Sequence, residues 1–409
     1  MPPIIPKINV LYFVFVFSFV VITINMKKEL YYIINNNIIK KFIISFLLYS
    51  IFAIIHIVYD CLFGNKLELI EYIYDVYNLV GVGILINVCA IYVVCYSIKH
   101  KFNIFDICSC LIYAGLLQGI ICCLAILFPI VKNKLNSIFI HNVYGSLENS
   151  GILSWTFKER LYGFANVLYD GFGYGTGVIA GISFLSLFEN KFSLKRILFF
   201  VVLFIVPTVN AITGFFITVI AILLRVAFSL NNKKTSLSKI CTVIMVLIIL
   251  IIGYVILENK ASYAVERLQS NIWAILGKND GITSYKNLTR KSYWTIPDKL
   301  INVLFGTGHS VYTTKKFVHS DTGYTNSVWL VGIIGSLWLY GIFIVSALRI
   351  IRVSCDKFKK ELMYFCIISF LFFEIKGIGI SINTGISVVL IIMYSLAVFG
   401  QNIKMETRK

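Results

Sequence analysis

The chain has 409 residues, of which 58% are hydrophobic and 14% charged, and its mean hydropathy is +0.85. Soluble domains carry about 25% charged residues, so this composition excludes an ordinary soluble protein. The formal net charge of +18 would suggest nucleic-acid binding in a soluble chain. In a membrane protein it is better explained by lysines that hold topology, so we expect a polytopic membrane protein and no nucleic acid.

Apolar stretches set the predicted architecture, because about 20 apolar residues cross a bilayer as a helix. The chain has about eleven such stretches, which predict an all-α, polytopic transmembrane helical bundle with residues 1–409 as a single integral membrane domain. Pro207 and residues 210–214 interrupt one long stretch and predict a tight helical hairpin. The predicted spans are 8–25, 42–59, 76–98, 105–130, 172–188, 197–209, 211–229, 240–258, 326–348, 362–378 and 384–400.

Basic residues predict the orientation of the bundle. Connections rich in lysine and arginine alternate with acidic or mixed ones, and the positive-inside bias assigns the basic ones to the cytoplasm. Arg225 is counted with these cytoplasmic cations, and Asp60 with an acidic outer connection. We expect the N-terminus outside and the C-terminus in the cytoplasm. Two long loops, 131–171 and 259–325, then lie outside, and long loops are where membrane enzymes place chemistry.

The sequence lacks the signatures of metal and nucleophile sites. The cysteines at 108, 110, 122 and 123 do not have zinc-site spacing, and no phosphate-binding loop or nucleophile elbow is present. His309 and His319 lie in the second outer loop, where solvated histidines are expected. We therefore expect no metal and no cofactor, and look for chemistry among charged and hydroxyl side chains of the outer loops.

Two outer arginines are candidates for binding an anionic ligand. Arg160 stands before a span, with Glu159 on one side and Gly163 on the other, and Arg290 lies in the second long loop. A guanidinium binds phosphate through two parallel hydrogen bonds. The alternative is an interfacial arginine that extends towards lipid headgroups.

Glycines and aromatic residues near these arginines have two interpretations each. Gly306 and Gly308 either cradle a phosphate or form an ordinary turn. Tyr293 and Trp294 either belong to the aromatic belt of the interface or stack on a sugar face. The glycines of 171–177 either admit a ligand or pack helices closely.

The order of these features resembles a known family. Arg-x-x-Gly at Arg160 precedes a span, and a Thr-Gly break follows in mid-chain. An outer-loop arginine then leads to Phe-Gly-x-Gly at 305–308, His-Ser-Asp-x-Gly-Tyr at 319–324 and Gly-Ile-Ile-Gly at 332–335. Over about 150–345 the chain resembles the bacterial O-antigen and capsular repeat-unit polymerases (Wzy type) and the related O-antigen ligases. The N-terminal third is similar to them only in hydropathy.

The resemblance implies a metal-independent glycosyltransferase in the bacterial cytoplasmic (inner) membrane. Its substrate would be an oligosaccharide carried on undecaprenyl pyrophosphate, and its partners would include the lipid bilayer, a chain-length regulator and a flippase. Asp321 or His319 would be the general base, with Glu159 as a third candidate. The residues that would bind the pyrophosphate or the sugars are Arg160, Arg290, Gly163, Gly306, Gly308, Tyr293 and Trp294.

One position separates the two branches of the family. In ligases a histidine usually stands about eleven residues before the first glycine of the Gly-Ile-Ile-Gly pair. Here that position is Asp321, and His319 lies two residues earlier, so we favour a polymerase over a ligase. A lipid-linked oligosaccharide flippase is the remaining alternative. A flippase would bury charged residues within its spans, and these apolar stretches are nearly free of them, apart from Asp106 near one end and Glu374 and Lys376 near another.

Overall fold

A computed structural model describes residues 10–64, 69–139, 170–189, 193–230, 258, 262–277, 288–309, 320, 322–354, 356–376 and 385–399. Over these residues the fold is all-α, as predicted, and they form no strand. A π-helical turn covers Tyr77–Gly81, and a 3₁₀ helix covers Lys291–Trp294. The α-helices are α1 (Val10–Asn25), α2 (Lys27–Asn35), α3 (Asn37–Phe63), α4 (Leu69–Val76), α5 (Val82–Lys99), α6 (Ile104–Leu127), α7 (Pro129–Phe139), α8 (Asp170–Ser186), α9 (Leu194–Asn210), α10 (Ile212–Leu230), α11 (Ser262–Ile275), α12 (Leu300–Phe305), α13 (Gly323–Val353), α14 (Lys357–Phe373) and α15 (Ile386–Phe399).

The helices lie where the apolar stretches predict them. A helix is present at every predicted span except 240–258, which lies outside the described residues. Four helices, α3, α5, α6 and α13, are long and apolar enough to cross a membrane. The predicted break in the stretch 197–229 is confirmed at Ala211, whose extended backbone separates α9 from α10. The total of about eleven crossings and their orientation stay predictions.

The chain forms two compact units. The first takes the described residues within 1–17 and 105–285, and therefore contains α6 to α11. The second takes those within 18–104 and 286–409, and contains α2 to α5 and α12 to α15.

In the first unit, glycines allow the backbones of α8 and α10 to come into direct contact. A Cβ atom added to Gly214 of α10 would lie 2.1 Å from the carbonyl oxygen of Gly173, and one added to Gly177 would lie 2.4 Å from the carbonyl oxygen of Gly214. The Thr218 hydroxyl donates to the carbonyl oxygen of Gly177 at 3.3 Å. The glycine-rich start of α8 therefore serves close helix packing, which was one of its two interpretations.

In the second unit α13 packs against α3, α12 and α14. Tyr49 and Ala53 of α3 meet Val331 and Leu339 of α13 in a buried cluster. The start of α3 is fixed by Asn36, whose side-chain oxygen accepts hydrogen bonds from the first backbone N–H groups of the helix. The amide of the same side chain donates to the carbonyl oxygen of Ala397 at 3.0 Å, which ties α3 to α15.

The span predicted at 326–348 is not a continuous helix. Gly332 interrupts α13 with φ 70° and ψ −177°, a conformation that an L-amino acid with a side chain rarely adopts. This residue is the first glycine of the Gly-Ile-Ile-Gly pair. The break leaves carbonyl groups before it without their usual helical donors, and the candidate site is built on them.

Two charged residues that the sequence places in connections, Arg225 and Asp60, lie within helices. Arg225 is buried within α10 instead of in a cytoplasmic loop, and its guanidinium lies 3.4 Å from the Glu189 carboxylate and over the Phe188 ring. Asp60 is buried within α3, and Glu361 is buried within α14. Asp60 and Glu361 stand one residue outside the predicted apolar stretches 42–59 and 362–378, whereas Arg225 lies inside the stretch 211–229. The helices extend past the apolar runs into charged residues that the fold buries.

The glycine contact in the first unit predicts the effect of adding one methyl group. Gly214→Ala should destabilise the protein by about 1–3 kcal/mol, because the new Cβ would overlap backbone that cannot move aside. Gly341→Ala is the matched control, since no atom lies within 4 Å of a Cβ at that helical position. The control should be neutral or stabilise by up to about 1 kcal/mol. Thermal unfolding in detergent compares the two, and equal stability of both variants would contradict the packing described here.

Candidate functional site

The predicted site is described in part. Five of its residues lie outside the described part of the chain, namely Glu159, Arg160, Gly163, His319 and Asp321. The other five lie on one segment, residues 288–309, and are Arg290, Tyr293, Trp294, Gly306 and Gly308. We call residues 288–309 the docking segment, because it lies along the broken helix α13.

Backbone hydrogen bonds hold the docking segment on α13. The N–H of Thr307 donates to the carbonyl oxygen of Trp329 at 2.6 Å, and the N–H of Gly308 donates to that of Leu330 at 3.1 Å. In the opposite direction, the Trp329 indole N–H donates to the carbonyl oxygen of Thr295 at 2.9 Å. The segment thus supplies the donors that the break at Gly332 leaves missing.

Gly306 and Gly332 meet backbone to backbone. Gly306 has φ 91°, and a Cβ added to it would lie 2.6 Å from the backbone nitrogen of Gly332. A Cβ added to Gly332 would lie 2.2 Å from the carbonyl oxygen of Leu304. The N–H of Gly306 donates to Asn302, so the N–H groups of 306, 307 and 308 all bind carbonyls of the chain. A phosphate cradle would need these N–H groups as free donors. The two glycines can therefore affect ligand binding only by allowing the docking segment to pack closely.

The expectation that His309 is a solvated loop residue is wrong. His309 is 2% exposed, and its Nδ1 lies 3.0 Å from Oδ2 of Asp60 in α3. The same oxygen accepts a hydrogen bond from the Tyr72 hydroxyl at 2.9 Å. Gly308 brings the segment this close, because a Cβ on it would lie 2.5 Å from the carbonyl oxygen of His56. An ionised carboxylate can only accept, so with Asp60 ionised this contact is made by an Nδ1–H donor.

An aspartate that holds Nδ1 of a histidine is the arrangement that orients a general base. Here, however, the ring is enclosed by protein, with the Trp329 ring centroid 6.2 Å away. In this conformation the Asp60–His309 contact joins the docking segment to α3 and does not present Nε2 to a substrate. The sequence missed the pair because 249 residues separate its members. The only local signal was a histidine directly after Gly-x-Gly.

Three hydroxyl groups converge on the carbonyl oxygen of Tyr293. Ser320 donates to it at 2.7 Å, Thr325 at 2.9 Å and Thr322 at 3.4 Å. Ser320 and Thr322 flank the candidate base Asp321 in the sequence. The Tyr293 side chain is itself buried, so its ring is closed to sugar and to lipid in this conformation.

Arg290 and Trp294 are the exposed members of the predicted site. Arg290 precedes the 3₁₀ helix, and its carbonyl oxygen accepts a hydrogen bond from the N–H of Tyr293 at 3.0 Å. Its backbone is therefore coupled to the anchored Tyr293 while the guanidinium is accessible. Trp294 is 42% exposed, and its indole N–H donates to the carbonyl oxygen of Leu288. An exposed cation and an exposed aromatic ring on one short segment can bind an anionic group and an attached sugar.

A second buried carboxylate lies at the end of α14. Glu374 is 1% exposed, and its carboxylate accepts a hydrogen bond from the Tyr340 hydroxyl at 3.1 Å. Its carbonyl oxygen accepts the N–H of Gly323 at 2.8 Å, at the first residue of α13. The Tyr324 hydroxyl donates to the carbonyl oxygen of Leu371 in the same region. These bonds fix the start of α13, the helix that carries the docking segment.

Comparison with known proteins adds no relative. No protein-family model matches the chain, and no curated protein or solved structure is significantly similar to it. Within the described ranges, no three His, Cys, Asp or Glu side chains are grouped as metal ligands would be. The residues of this chain and their contacts are therefore the basis for a functional proposal.

The Asp60–His309 contact predicts that replacing either residue lowers the free energy of unfolding, and that the two effects are not additive. Asp60→Ala or His309→Ala should each cost about 3–5 kcal/mol, because each leaves the other buried group without its partner. The double variant should cost less than the sum of the two, by about 1–3 kcal/mol. Unfolding in mixed micelles measures the four free energies, and His100→Ala is the control because His100 is exposed. Additive losses would mean that the two residues do not interact.

Proposed function

We propose that the protein is a metal-independent membrane glycosyltransferase of the repeat-unit polymerase type. It would join oligosaccharide repeat units carried on undecaprenyl pyrophosphate into O-antigen or capsular polysaccharide. The reaction would take place on the outer face of the bacterial cytoplasmic membrane. This proposal includes about eleven membrane crossings, an outside N-terminus and a cytoplasmic C-terminus, as the charge pattern predicts.

One observation carries the proposal. The arginine, the Phe-Gly-x-Gly sequence and the Gly-Ile-Ile-Gly sequence are separate motifs in the chain, but the docking segment and α13 join them into one hydrogen-bonded unit. Arg290 lies on that unit with its side chain accessible. Motifs that belong to one local structure are better explained by a shared task than by chance order.

The proposed reaction is the transfer of a glycosyl group from the lipid-linked donor to an acceptor hydroxyl. An acceptor hydroxyl oxygen forms a bond to the anomeric carbon of the donor sugar, and the bond from that carbon to the pyrophosphate oxygen breaks. Undecaprenyl pyrophosphate leaves with the electron pair, and the acceptor proton passes to a base. Negative charge grows on the leaving group in the transition state, so the fixed cations proposed for this role, Arg160 and Arg290, would stabilise it there.

The general base stays a choice among Asp321, His319 and Glu159. Asp321 is favoured because it stands at the position where ligases usually carry a histidine, and because its neighbours Ser320 and Thr322 are bonded to the carbonyl of Tyr293. The same position supports a polymerase over a ligase.

The flippase alternative gains one argument from the fold. Asp60, Glu361 and Glu374 are buried in or beside apolar helices, as expected of a protein that moves a polar cargo. Asp60 and Glu374, however, each accept hydrogen bonds from buried partners of the same unit. A flippase is therefore kept as the second candidate.

The role proposed for Arg290 can be tested by mutation, with the neighbouring Lys291 as the control. Arg290→Ala should reduce chain extension by about a hundredfold or more, since losing one donor to a developing charge has that effect. Arg290→Lys should recover only part, because lysine cannot form two parallel hydrogen bonds. Lys291→Ala removes the exposed neighbouring cation and should leave activity near wild type. Arg160→Ala should resemble Arg290→Ala. Equal effects of Arg290→Ala and Lys291→Ala would reject a specific role for Arg290.

The surface-polysaccharide ladder of a deletion strain reads out these variants. Single repeat units without long chains in the deletion, with long chains restored by the wild-type gene, support a polymerase. Long chains that stay on the lipid carrier would mean a ligase, and repeat units held on the cytoplasmic side would mean a flippase. An unchanged ladder would reject all three.

A further inference from the structure

A cavity in the first unit lies apart from every residue considered so far. It has a volume of about 290 Å³ and is lined by residues of α6, α8 and α9. This size is close to the lower end of small-ligand pockets, which begin at about 300 Å³. Its lining combines two cations, several serine hydroxyls and aromatic rings in a fold that is otherwise largely apolar.

The charge of the cavity is positive. Lys195 and Arg196 both line it, at the start of α9, and no carboxylate does so among the described residues. The acidic residues nearest in the sequence, Asp106 and Glu189, are not part of the lining, and Glu189 contacts Arg225 at 3.4 Å. A guanidinium has five N–H donors, so Arg196 can keep partners in the protein and still bind a ligand.

Hydroxyl groups complete the lining. The Ser183 side chain is 2% exposed and lines the cavity. A serine hydroxyl on a cavity wall can donate a hydrogen bond to a ligand oxygen. Ser193 also lines the cavity, at the N-cap of α9, and its side chain forms no capping bond.

We infer that this cavity binds the phosphate of an anionic ligand, which is either the headgroup of an acidic membrane phospholipid or a free phosphate. Lys195 and Arg196 neutralise the charge, and the hydroxyls of Ser183 and Ser193 donate to the phosphate oxygens. Phe199 and Tyr113 form an apolar wall suited to the glycerol and upper acyl chain of a lipid. The site is independent of the proposed glycosyl transfer.

The full-length chain in nanodiscs tests the site. Native mass spectrometry would count phosphatidylglycerol retained against phosphatidylcholine, with inorganic phosphate added as competitor. The double variant Lys195→Ala/Arg196→Ala should weaken retention by about tenfold or more, because each lost charged hydrogen bond is strong. Ser183→Ala should weaken it by about three- to tenfold, since it removes one hydroxyl donor to the phosphate. Arg352→Ala is the control, an exposed arginine of the other unit.

Selective retention of phosphatidylglycerol, lost in the cavity variants and kept in Arg352→Ala, supports the site with a lipid source. Displacement by inorganic phosphate with the same dependence on Lys195, Arg196 and Ser183 supports it with free phosphate as the source. Equal retention of both lipids overturns the inference if phosphate also fails to bind. So does a loss in Arg352→Ala as large as in the double variant, because the effect would then be that of any surface cation.

Discussion

The second unit depends on the backbone carbonyls that the break at Gly332 frees from helical hydrogen bonding. In an apolar bundle such groups cannot turn to water, and leaving them without a donor is costly. Thr307 and Gly308 provide the donors, which requires a non-helical segment to lie directly on α13. That approach in turn requires glycine at 306, where any side chain would meet the backbone of α13. The helix break and the Phe-Gly-x-Gly sequence are therefore two halves of one packing solution.

The polar contacts of the docking segment follow from this placement. Once Gly308 lies against α3, His309 is brought beside Asp60, and burial makes that contact obligatory because neither group has access to enough water. At the other end of the segment, three hydroxyls fix the carbonyl of Tyr293 and leave Arg290 accessible beside it. The Arg290 carbonyl accepts the N–H of Tyr293, so the backbone that carries the guanidinium is coupled to this anchored residue.

Sequence and structure agree where a local property decides the outcome. The length of an apolar run fixes where a helix forms, so the helices are found within a few residues. The predicted break falls at Ala211, within 210–214, whereas Pro207 is accommodated inside α9. They disagree where distant residues decide. Asp60 stands one residue past an apolar run, which predicts a loop, but α3 continues through it and its side chain contacts His309. Arg225 was assigned to a loop by its charge, although Glu189 and Phe188 hold it inside a helix. The candidate site could be recognised as a set of motifs, while the reason for its glycines lies in contacts that no local pattern contains.

The way the buried acids are bonded bears on the choice between enzyme and flippase. A path for a polar cargo needs charged groups that face water or the cargo in at least one state. The carboxylate of Asp60 accepts from Tyr72 and contacts His309, and that of Glu374 accepts from Tyr340. Moving either carboxylate to a water-filled path would break contacts that also hold the docking segment or the start of α13 in place. Both acids are thus tied to the same elements that position Arg290, an arrangement better suited to a fixed site for chemistry than to a moving path. The contacts of these two buried acids therefore favour the transferase over the flippase.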